Sequence, residues 1–487
     1  MARGRDENSE LRMARFTEEE AVQATGASRV RSSKRRVFEE VCTDTRALVP
    51  GCLFVALKGE RFDAHDFVSE AATRGASGAI VEKGRVPSLR MDGFVLLEVE
   101  STLRALGDLA RFHRRRFRMP VGAITGSSGK TTTKEMVYAI LSLRGQALKT
   151  EGNLNNEVGV PLTLFRLLPS HIAAVLEMGM SHEGEIARLT AMVEPEAGLI
   201  TGVHPAHLQG LGTLDRVAAA KGELFRGLKR GATAVVNVDD PWVSAQPRAE
   251  GACVLSFGEA AHAQVRVKAV EQRPPQGLSV VFEYSGCEYP VRLSFLGRHN
   301  ARNAAGAFAL ALALGYEPQE CALGLERAQP YPGRLTALET AGGITVLDDA
   351  YNANPASMAA ALEALQELVA RKGSDPNSAS PVRRAVAVIG DMLELGAHEA
   401  REHARLGEQV AEVAELAAFF GPRSLAACQA AGMGEHGAHF EDVSSLVQWL
   451  RLRLRSGDVV LVKASRGMRL ERVVQQLTGA GIGSEAH

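Results

Sequence analysis

From Pro120 onward, short apolar runs alternate with longer stretches of helical periodicity. Val121–Thr125, Ile172–Leu176, Gly198–Thr201 and Ala234–Val238 read as buried strands, most of them separated by helix-length segments. That alternation predicts a mostly parallel sheet covered by helices on both faces. A β-rich patch follows at 264–296, and then an alanine-rich helix from Asn300 to Leu314. A second alternating series starts near Gly333, with strands expected at Ile344–Leu347, Ala385–Ile389, Ala417–Phe420 and Val459–Val462. Segment 371–384, rich in Ser, Pro and Asn, reads as a flexible surface loop. A chain of 487 residues exceeds one ordinary core and favours about three domains. The expected fold class is α/β, with a disordered lead at 1–15 and domains at 16–117, 118–330 and 331–487.

Composition narrows the partners. Fifty-six basic residues against 57 acidic ones leave a net charge of −1, too little to hold nucleic acid or an anionic membrane by a global field. The basic runs at 29–36 and 111–118 do not lie in basic domains and are expected to be solvated faces or linkers. Residues 1–20 are charged and lack an apolar core, so they do not form a signal peptide. No run of apolar residues is long enough to span a membrane. The six cysteines form no C-x-x-C and read as buried, reduced thiols. A cytoplasmic protein follows.

The sharpest motif runs Thr125-Gly126-Ser127-Ser128-Gly129-Lys130-Thr131-Thr132, between the strand Val121–Thr125 and a helix expected over Lys130–Leu143. Glycines let backbone N–H groups curl around phosphate oxygens, and the helix N-terminus adds partial positive charge. Lys130 can neutralise β and γ phosphates and the Thr131 hydroxyl can ligate Mg²⁺. Ile124 stands where the longer G-x-x-x-x-G-K-[ST] pattern has glycine, so the loop is the shorter G-x-x-G-K-T form. A GTPase would need N-K-x-D, which the chain lacks.

This loop is joined, in order, by EGNLNNEVGVPLTL (151–164), LEMGMSHEGEI (176–186), AHLQGLGTLDRVAAAKGELF (206–225), NVDDP (237–241), GRHNARNA (297–304), PGRL (332–335), LDDAYNANPASM (347–358), VIGDMLELG (388–396) and VKASRGM (462–468). Together they resemble the Mur ligase family over nearly the whole chain. Within it, the NLNN, AYNANP and GDMLELG strings look most like members that add D-alanyl-D-alanine to a UDP-linked muramoyl-tripeptide, and the D-N-P-R string of the diamino-acid-adding members is absent.

The resemblance implies a UDP-binding N-terminal lobe, a central P-loop ATPase domain and a Rossmann-like C-terminal domain. It also implies an ATP-dependent ligase of peptidoglycan synthesis that works through an acyl phosphate, as a monomer, with ATP and Mg²⁺. The ATP ligands it implies are Gly126, Ser127, Ser128, Gly129, Lys130, Thr131 and Thr132, with Asn300 near adenine and Arg334 and Asp349 reaching phosphates and ribose. Catalytic and metal roles fall to Lys130, Thr131, Glu177, His207 and Lys221, the last as a carbamylated lysine. Taken alone, Glu177 would be a surface carboxylate, His207 a loop histidine and Lys221 a solvent-facing helix lysine. Thr43, Asp44, Thr45 and Arg46, with Asn153, Asn155 and Asn156, are implied contacts of the UDP-linked substrate, while Asn352 and Asn354 are implied contacts of D-alanyl-D-alanine. Gln209 departs from the family's usual glutamate. Another Mur-type or folyl-polyglutamate ligase, or a nucleotide-binding scaffold without catalysis, are the alternatives.

Overall fold

The computed structural model describes residues 14–33, 36–59, 62–87, 93–205, 208–273, 276–370 and 383–479. Among them the chain forms three main sheets, each mostly parallel, in the α/β arrangement the pattern predicts. The central sheet has nine strands. From one edge they run Ala147–Lys149, Ala173–Glu177, Val121–Thr125, Ala197–Ile200, Thr233–Asn237, Cys253–Gly258 and Val265–Arg273, all parallel. Gly277–Tyr284 and Cys287–Leu293 then complete an antiparallel meander. Strands Val121–Thr125, Ala173–Glu177 and Ala197–Ile200 are buried at every position. Burial on both faces is why they read as continuous runs instead of alternating ones.

The chain leaves Val121–Thr125 for strands on one side of it and then returns to Ala197–Ile200 on the other. A reversal of this kind opens a crevice at the carboxyl ends of the strands, where ligands of open α/β sheets bind. The helix Lys130–Leu141 packs there against the alanine-rich helix His299–Ala313. Small side chains let this helix lie close to the sheet: a Cβ on Gly306 would already meet Leu199 and Phe257 at 3.1 Å.

The C-terminal sheet runs Thr336–Glu339, Thr345–Asp349, Val459–Lys463, Ala385–Gly390, Leu416–Phe420, Gly437–Phe440, with only the first strand antiparallel. The N-terminal sheet runs Ser28–Arg31, Val95–Val99, Gly78–Glu82, Leu53–Val55, Val41–Cys42, again with one antiparallel edge. The short strands Ala147–Lys149, Thr336–Glu339 and Gly437–Phe440 were not evident from the hydrophobic pattern, being too brief to show a period.

Three expectations need correction. Of the lead at 1–15, residues 1–13 lie outside the described residues, but Ala14 is buried and its N–H donates to the Phe165 carbonyl at 3.1 Å. Not every cysteine is buried: all are free, but Cys253 and Cys287 are exposed. The loop expected at 371–384 is described only at Arg383 and Arg384, and residues 371–382 lie outside the described set.

The third correction concerns the basic run at 111–118, which is a solvated face only in part: Arg115, Arg116 and Arg118 are exposed, but the run is also anchored into the central domain. It ends the helix Thr102–Arg114, whose Ala105, Leu106, Leu109 and Ala110 share one apolar core with Ile186, Leu189, Met192 and Val193 of the central domain. Arg114 is buried, donating to the Val193 and Phe117 carbonyls and to Glu196. Arg111 and Arg115 close on Glu194 at 2.8 and 2.5 Å, and Lys229 joins them at 2.5 Å. Glu194 sits at φ 49 as a helix cap. These donors outweigh its burial and hold its carboxyl at about 2, well below the usual 4.5.

A depressed carboxylate contributes stability above its unfolded pKa and loses it as pH falls toward the folded one. Glu194→Gln should therefore cost about 1–2 kcal/mol at pH 7, modest because the partners are solvent-screened. The gap between variant and wild type should close as pH drops from 4.5 to about 2. Urea midpoints across that range measure it, and a gap independent of pH would contradict the clamp.

Candidate active site

The strand Val121–Thr125 delivers the chain into a turn that has no room for side chains. Gly126 has φ 149, and a Cβ there would stand 1.9 Å from Thr201 Oγ1. Gly129 has φ 81, and its Cβ would meet Asn303 Oδ1 at 2.4 Å. Only glycine fits either place. The Ser127 N–H donates to the Gly202 carbonyl at 2.9 Å, and Ser127 Oγ donates to the His204 carbonyl at 2.9 Å. Lys130 opens the helix Lys130–Leu141 and folds back to donate to the Gly126 carbonyl at 2.8 Å. Desolvation holds its ammonium below the ordinary lysine range, while Glu177 pulls the other way.

Glu177 is the last residue of its strand and is buried, not a surface carboxylate. Thr131 Oγ1 donates to Glu177 Oε2 at 2.9 Å and Asn155 Nδ2 donates to Glu177 Oε1 at 2.8 Å. Behind it, the Glu177 N–H donates to Thr150 Oγ1 at 2.9 Å, and fully buried Lys134 donates to the Thr150 carbonyl at 2.7 Å. Asn153 and Asn156 shape the same turn: the Asn153 carbonyl accepts from the Asn155 N–H at 2.7 Å, and Asn156 Oδ1 accepts from the Gly159 N–H at 2.8 Å. Lys221, on the helix Leu214–Arg226, is 1% exposed and not solvent-facing as helix chemistry alone suggested. Burial, reinforced by the Lys130 cation, pushes its ammonium well below the ordinary lysine range. His207 and the side chain of Gln209 lie outside the described residues.

The third domain closes the cleft from the other side. Arg334 Nη2 donates to Thr131 Oγ1 at 3.2 Å, and Asn354 Nδ2 donates to Ser128 Oγ at 3.1 Å. Asn354 Oδ1 also caps the helix Pro355–Ala370 by accepting from the Ser357 N–H at 2.9 Å. Asp349 ends its strand opposite Lys463, and the two form a buried ion pair at 2.5 Å. Lys463 donates further to the Asn352 carbonyl at 3.0 Å. Asn300 is buried, bonded to the Leu296 carbonyl at 2.7 Å, and its Oδ1 accepts from Asn303 at 2.8 Å.

A cavity of about 960 Å³ lies between the two domains, walled by residues 127–132, Asn300, Arg334, Asp349, Asn352 and Asn354. Lys130 and Thr131 form the wall it shares with the Glu177 side. Thr43, Asp44, Thr45 and Arg46 lie apart from it in the N-terminal lobe, where Asp44 caps the turn Thr45–Ala47 and pairs with Arg46 at 2.7 Å on the surface. Thr201, Asn303 and Lys463 were not singled out from sequence. Asn303 and Lys463 stand inside quoted motifs, whereas nothing in the sequence marks Thr201.

Mg²⁺ takes hard oxygen ligands. Thr131 Oγ1 and Glu177 Oε2 already converge beside the phosphate loop and suit it. Among the described residues no group of three or more His, Cys, Asp or Glu side chains converges as a self-contained metal site.

Family models match in three segments: "Mur ligase family, catalytic domain" over 37–114, "Mur ligase middle domain" over 124–311 and "Mur ligase, glutamate ligase domain" over 333–466. A relative from Escherichia coli (strain K12), UDP-N-acetylmuramoyl-tripeptide--D-alanyl-D-alanine ligase, is 40% identical over 91% of this chain and 94% of its own. The chain belongs to the Mur ligase family. A Bacillus subtilis (strain 168) protein of the same name is 34% identical over 91% of this chain and 94% of its own. Among solved structures, MurF from Acinetobacter baumannii aligns with a TM-score of 0.85 at 33% identity, covering 96% of this chain and 99% of that one. The MurF ligase from Thermotoga maritima in complex with ADP gives 0.78 at 31%, covering 90% and 97%. A diaminopimelate ligase and a folylpolyglutamate synthase share the Mur ligase fold alone, at 17% and 19% identity.

The Asp349–Lys463 pair is 11% and 2% exposed at its side chains, so removing one partner strands a buried charge. Lys463→Met should destabilise the third domain by about 3–5 kcal/mol, and Asp349→Asn added to it should restore part of the loss. Hydrogen exchange in the strands Thr345–Asp349 and Val459–Lys463 reads the effect. Unchanged protection in the single variant would contradict it.

Proposed function

We propose that this chain joins D-alanyl-D-alanine to UDP-N-acetylmuramoyl-tripeptide with ATP, through an acyl phosphate, releasing ADP and phosphate in peptidoglycan precursor synthesis. The observation that carries the chemistry is Thr131, held between Glu177 of the central domain and Arg334 of the third domain. The substrates follow from relatives 34–40% identical over almost their whole length. The diamino-acid and folyl alternatives rest on far lower identities.

A carboxylate is a poor electrophile, and phosphoryl transfer to it brings two anions together. Lys130 and the backbone N–H groups of 126–132 hold the ATP phosphates, and Arg334 adds a second cation from the facing domain. Mg²⁺, held by Thr131 and Glu177, would offset phosphate charge. Asn300 lies toward the adenine end and Asp349 toward the ribose. Asn352 and Asn354 belong to the third-domain wall that meets the incoming dipeptide. Asn153, Asn155 and Asn156 stand near the muramoyl portion, and Thr43, Asp44, Thr45 and Arg46 take the uridine diphosphate. With the third domain closed, water is kept from the acyl phosphate until the amine arrives. The reading makes the chain a cytoplasmic monomer. No helix among the described residues is long and apolar enough to cross a membrane.

Phosphate release should require UDP-muramoyl-tripeptide, D-alanyl-D-alanine and ATP together. Failure with every muramoyl peptide would leave a nucleotide-binding scaffold. Lys130→Ala should lower kcat by about two or more orders of magnitude with an unchanged melting temperature. Near-normal turnover would remove the loop from the mechanism.

Lys221 is read as a carbamate, since capture of carbon dioxide needs a neutral amine and burial shifts this lysine toward that form. Conversion to an anion would change the local charge by about two units and add hard oxygens near Lys130. Lys221→Ala should nearly abolish turnover, acetate or formate should partly restore it, and Lys221→Arg should not be rescued. A fully active alanine variant, with an unmodified mass for this lysine in the native protein, would sink the idea.

A further inference from the structure

One buried group behind the phosphate loop has a second neighbour, in the segment that joins the central and third domains. Lys134 lies three residues on from Thr131, so both belong to one face of the helix Lys130–Leu141. It is 0% exposed. Its ammonium donates to the Thr150 carbonyl at 2.7 Å and pairs with Glu135 at 3.0 Å. Thr150 in turn accepts the Glu177 N–H on its Oγ1 at 2.9 Å. Lys134 thus props the end of the strand that brings Glu177 to Thr131.

The second neighbour is Tyr331. Lys134 Nζ stands 5.6 Å from the centre of its ring, a cation–π distance, and the contact is strengthened by the burial of the ammonium. Tyr331 sits where the chain crosses between domains: Ala328 belongs to the central core and Leu335 to the third. From Tyr331 to Arg334 the chain makes one tight turn with Pro332 and Gly333 in its middle. Gly333 has φ 73, and the Arg334 N–H donates to the Tyr331 carbonyl at 3.0 Å, which are the marks of a type II turn. The Tyr351 ring braces both ends of this turn. It meets the Tyr331 ring edge-on at 5.7 Å and lies 4.2 Å from the Arg334 guanidinium that stacks on it. A turn held in this way moves as a unit, so a shift of Tyr331 carries Arg334 with it.

Resting on the ligase reading, we infer that Lys134 is a positioning residue for phosphoryl transfer, setting Glu177 through Thr150 and Arg334 through Tyr331. Both groups that hold Thr131 are then registered to one ammonium on Thr131's own helix. The second route crosses the domain boundary, so Arg334 reaches its place when the Tyr331 ring seats on Lys134. Lys134 itself touches no reacting atom, and its effect passes through the two groups it places.

The test is steady-state phosphate release by Tyr331→Leu, Tyr331→Phe and Lys134→Met. Tyr331→Leu removes the ring face and should lower kcat about tenfold. KM for D-alanyl-D-alanine and for the UDP-linked substrate should stay within about twofold of wild type. Tyr331→Phe keeps the ring face and should keep the wild-type kcat. Lys134→Met loses both routes, so its kcat should fall at least as far, and adding Tyr331→Leu should cost nothing more. In an Arg334→Ala background, Tyr331→Leu should change kcat by less than about twofold, because its route runs through Arg334. A wild-type kcat in Tyr331→Leu, or its full loss repeated beside Arg334→Ala, overturns the coupling. Should Lys134→Met not fold, the Tyr331 variants decide alone, since Tyr331 is half-buried and outside both domain cores. Should wild type not turn over, the ligase reading falls and hydrogen exchange decides the coupling. Lys134→Met should then speed exchange at the Glu177 amide and Tyr331→Leu at the Arg334 amide, and unchanged exchange at both overturns it.

Discussion

The cleft is organised by lack of room at the end of one strand. Thr201 Oγ1 donates to the Ser128 carbonyl at 2.5 Å and occupies the place a Cβ on residue 126 would need. Asn303 does the same opposite residue 129. The turn can therefore present only backbone and the side chains that leave it outward, Lys130 and Thr131 among them. Its tightness propagates. The helix bearing Asn303 must lie close enough to reach the loop, so its inner face is Ala301, Ala304, Ala305, Gly306 and Ala307. The alanine-rich stretch visible in the sequence is thus a consequence of the phosphate loop, although nothing local connects the two.

Buried cations show how the same constraint is met in different ways. Lys134 is fully buried, bonded to the Thr150 carbonyl and paired with Glu135 at 3.0 Å. Lys463 is paired with Asp349. For Lys221, burial and then the Lys130 cation push the ammonium well below the ordinary lysine range. A lysine that cannot be solvated must be neutralised by a partner or neutralise itself. Burial favours the neutral, nucleophilic form, which is why Lys221 invites chemistry while the ion-paired Lys134 and Lys463 read as braces.

The sheets of the second and third domains were legible because parallel strands buried on both faces carry unbroken apolar runs, and strand ends shifted by only a residue or so. The shift matters at Glu177, which belongs to the strand and is buried, so it could not be read as a site residue by periodicity. Ser127, Lys130 and Thr131 were legible from loop chemistry. Arg334 and Asn354 came only through the family resemblance, since their contacts with Thr131 and Ser128 cross more than 200 positions of sequence. Thr201 is a threonine after a strand and carries no signal at all. The arginine run at 111–118 misled for a related reason: composition shows charge, not the Glu194 and Glu196 that answer it from some 80 residues away.

That run also sets the mechanics of the molecule. The N-terminal helix Thr102–Arg114 shares an apolar core with the central domain and is pinned by a buried arginine. The third domain keeps cores of its own, built almost wholly from residues beyond 334, and meets the phosphate loop through hydrogen bonds from Arg334 and Asn354. Apolar burial persists whatever occupies the cleft, whereas polar contacts exchange readily with water or a ligand. Two junctions of such different character do not yield alike. On the proposed ligase reading, the polar one is where the structure is expected to open for nucleotide and close around it, because Arg334 and Asn354, which hold it shut, reach the phosphate loop itself.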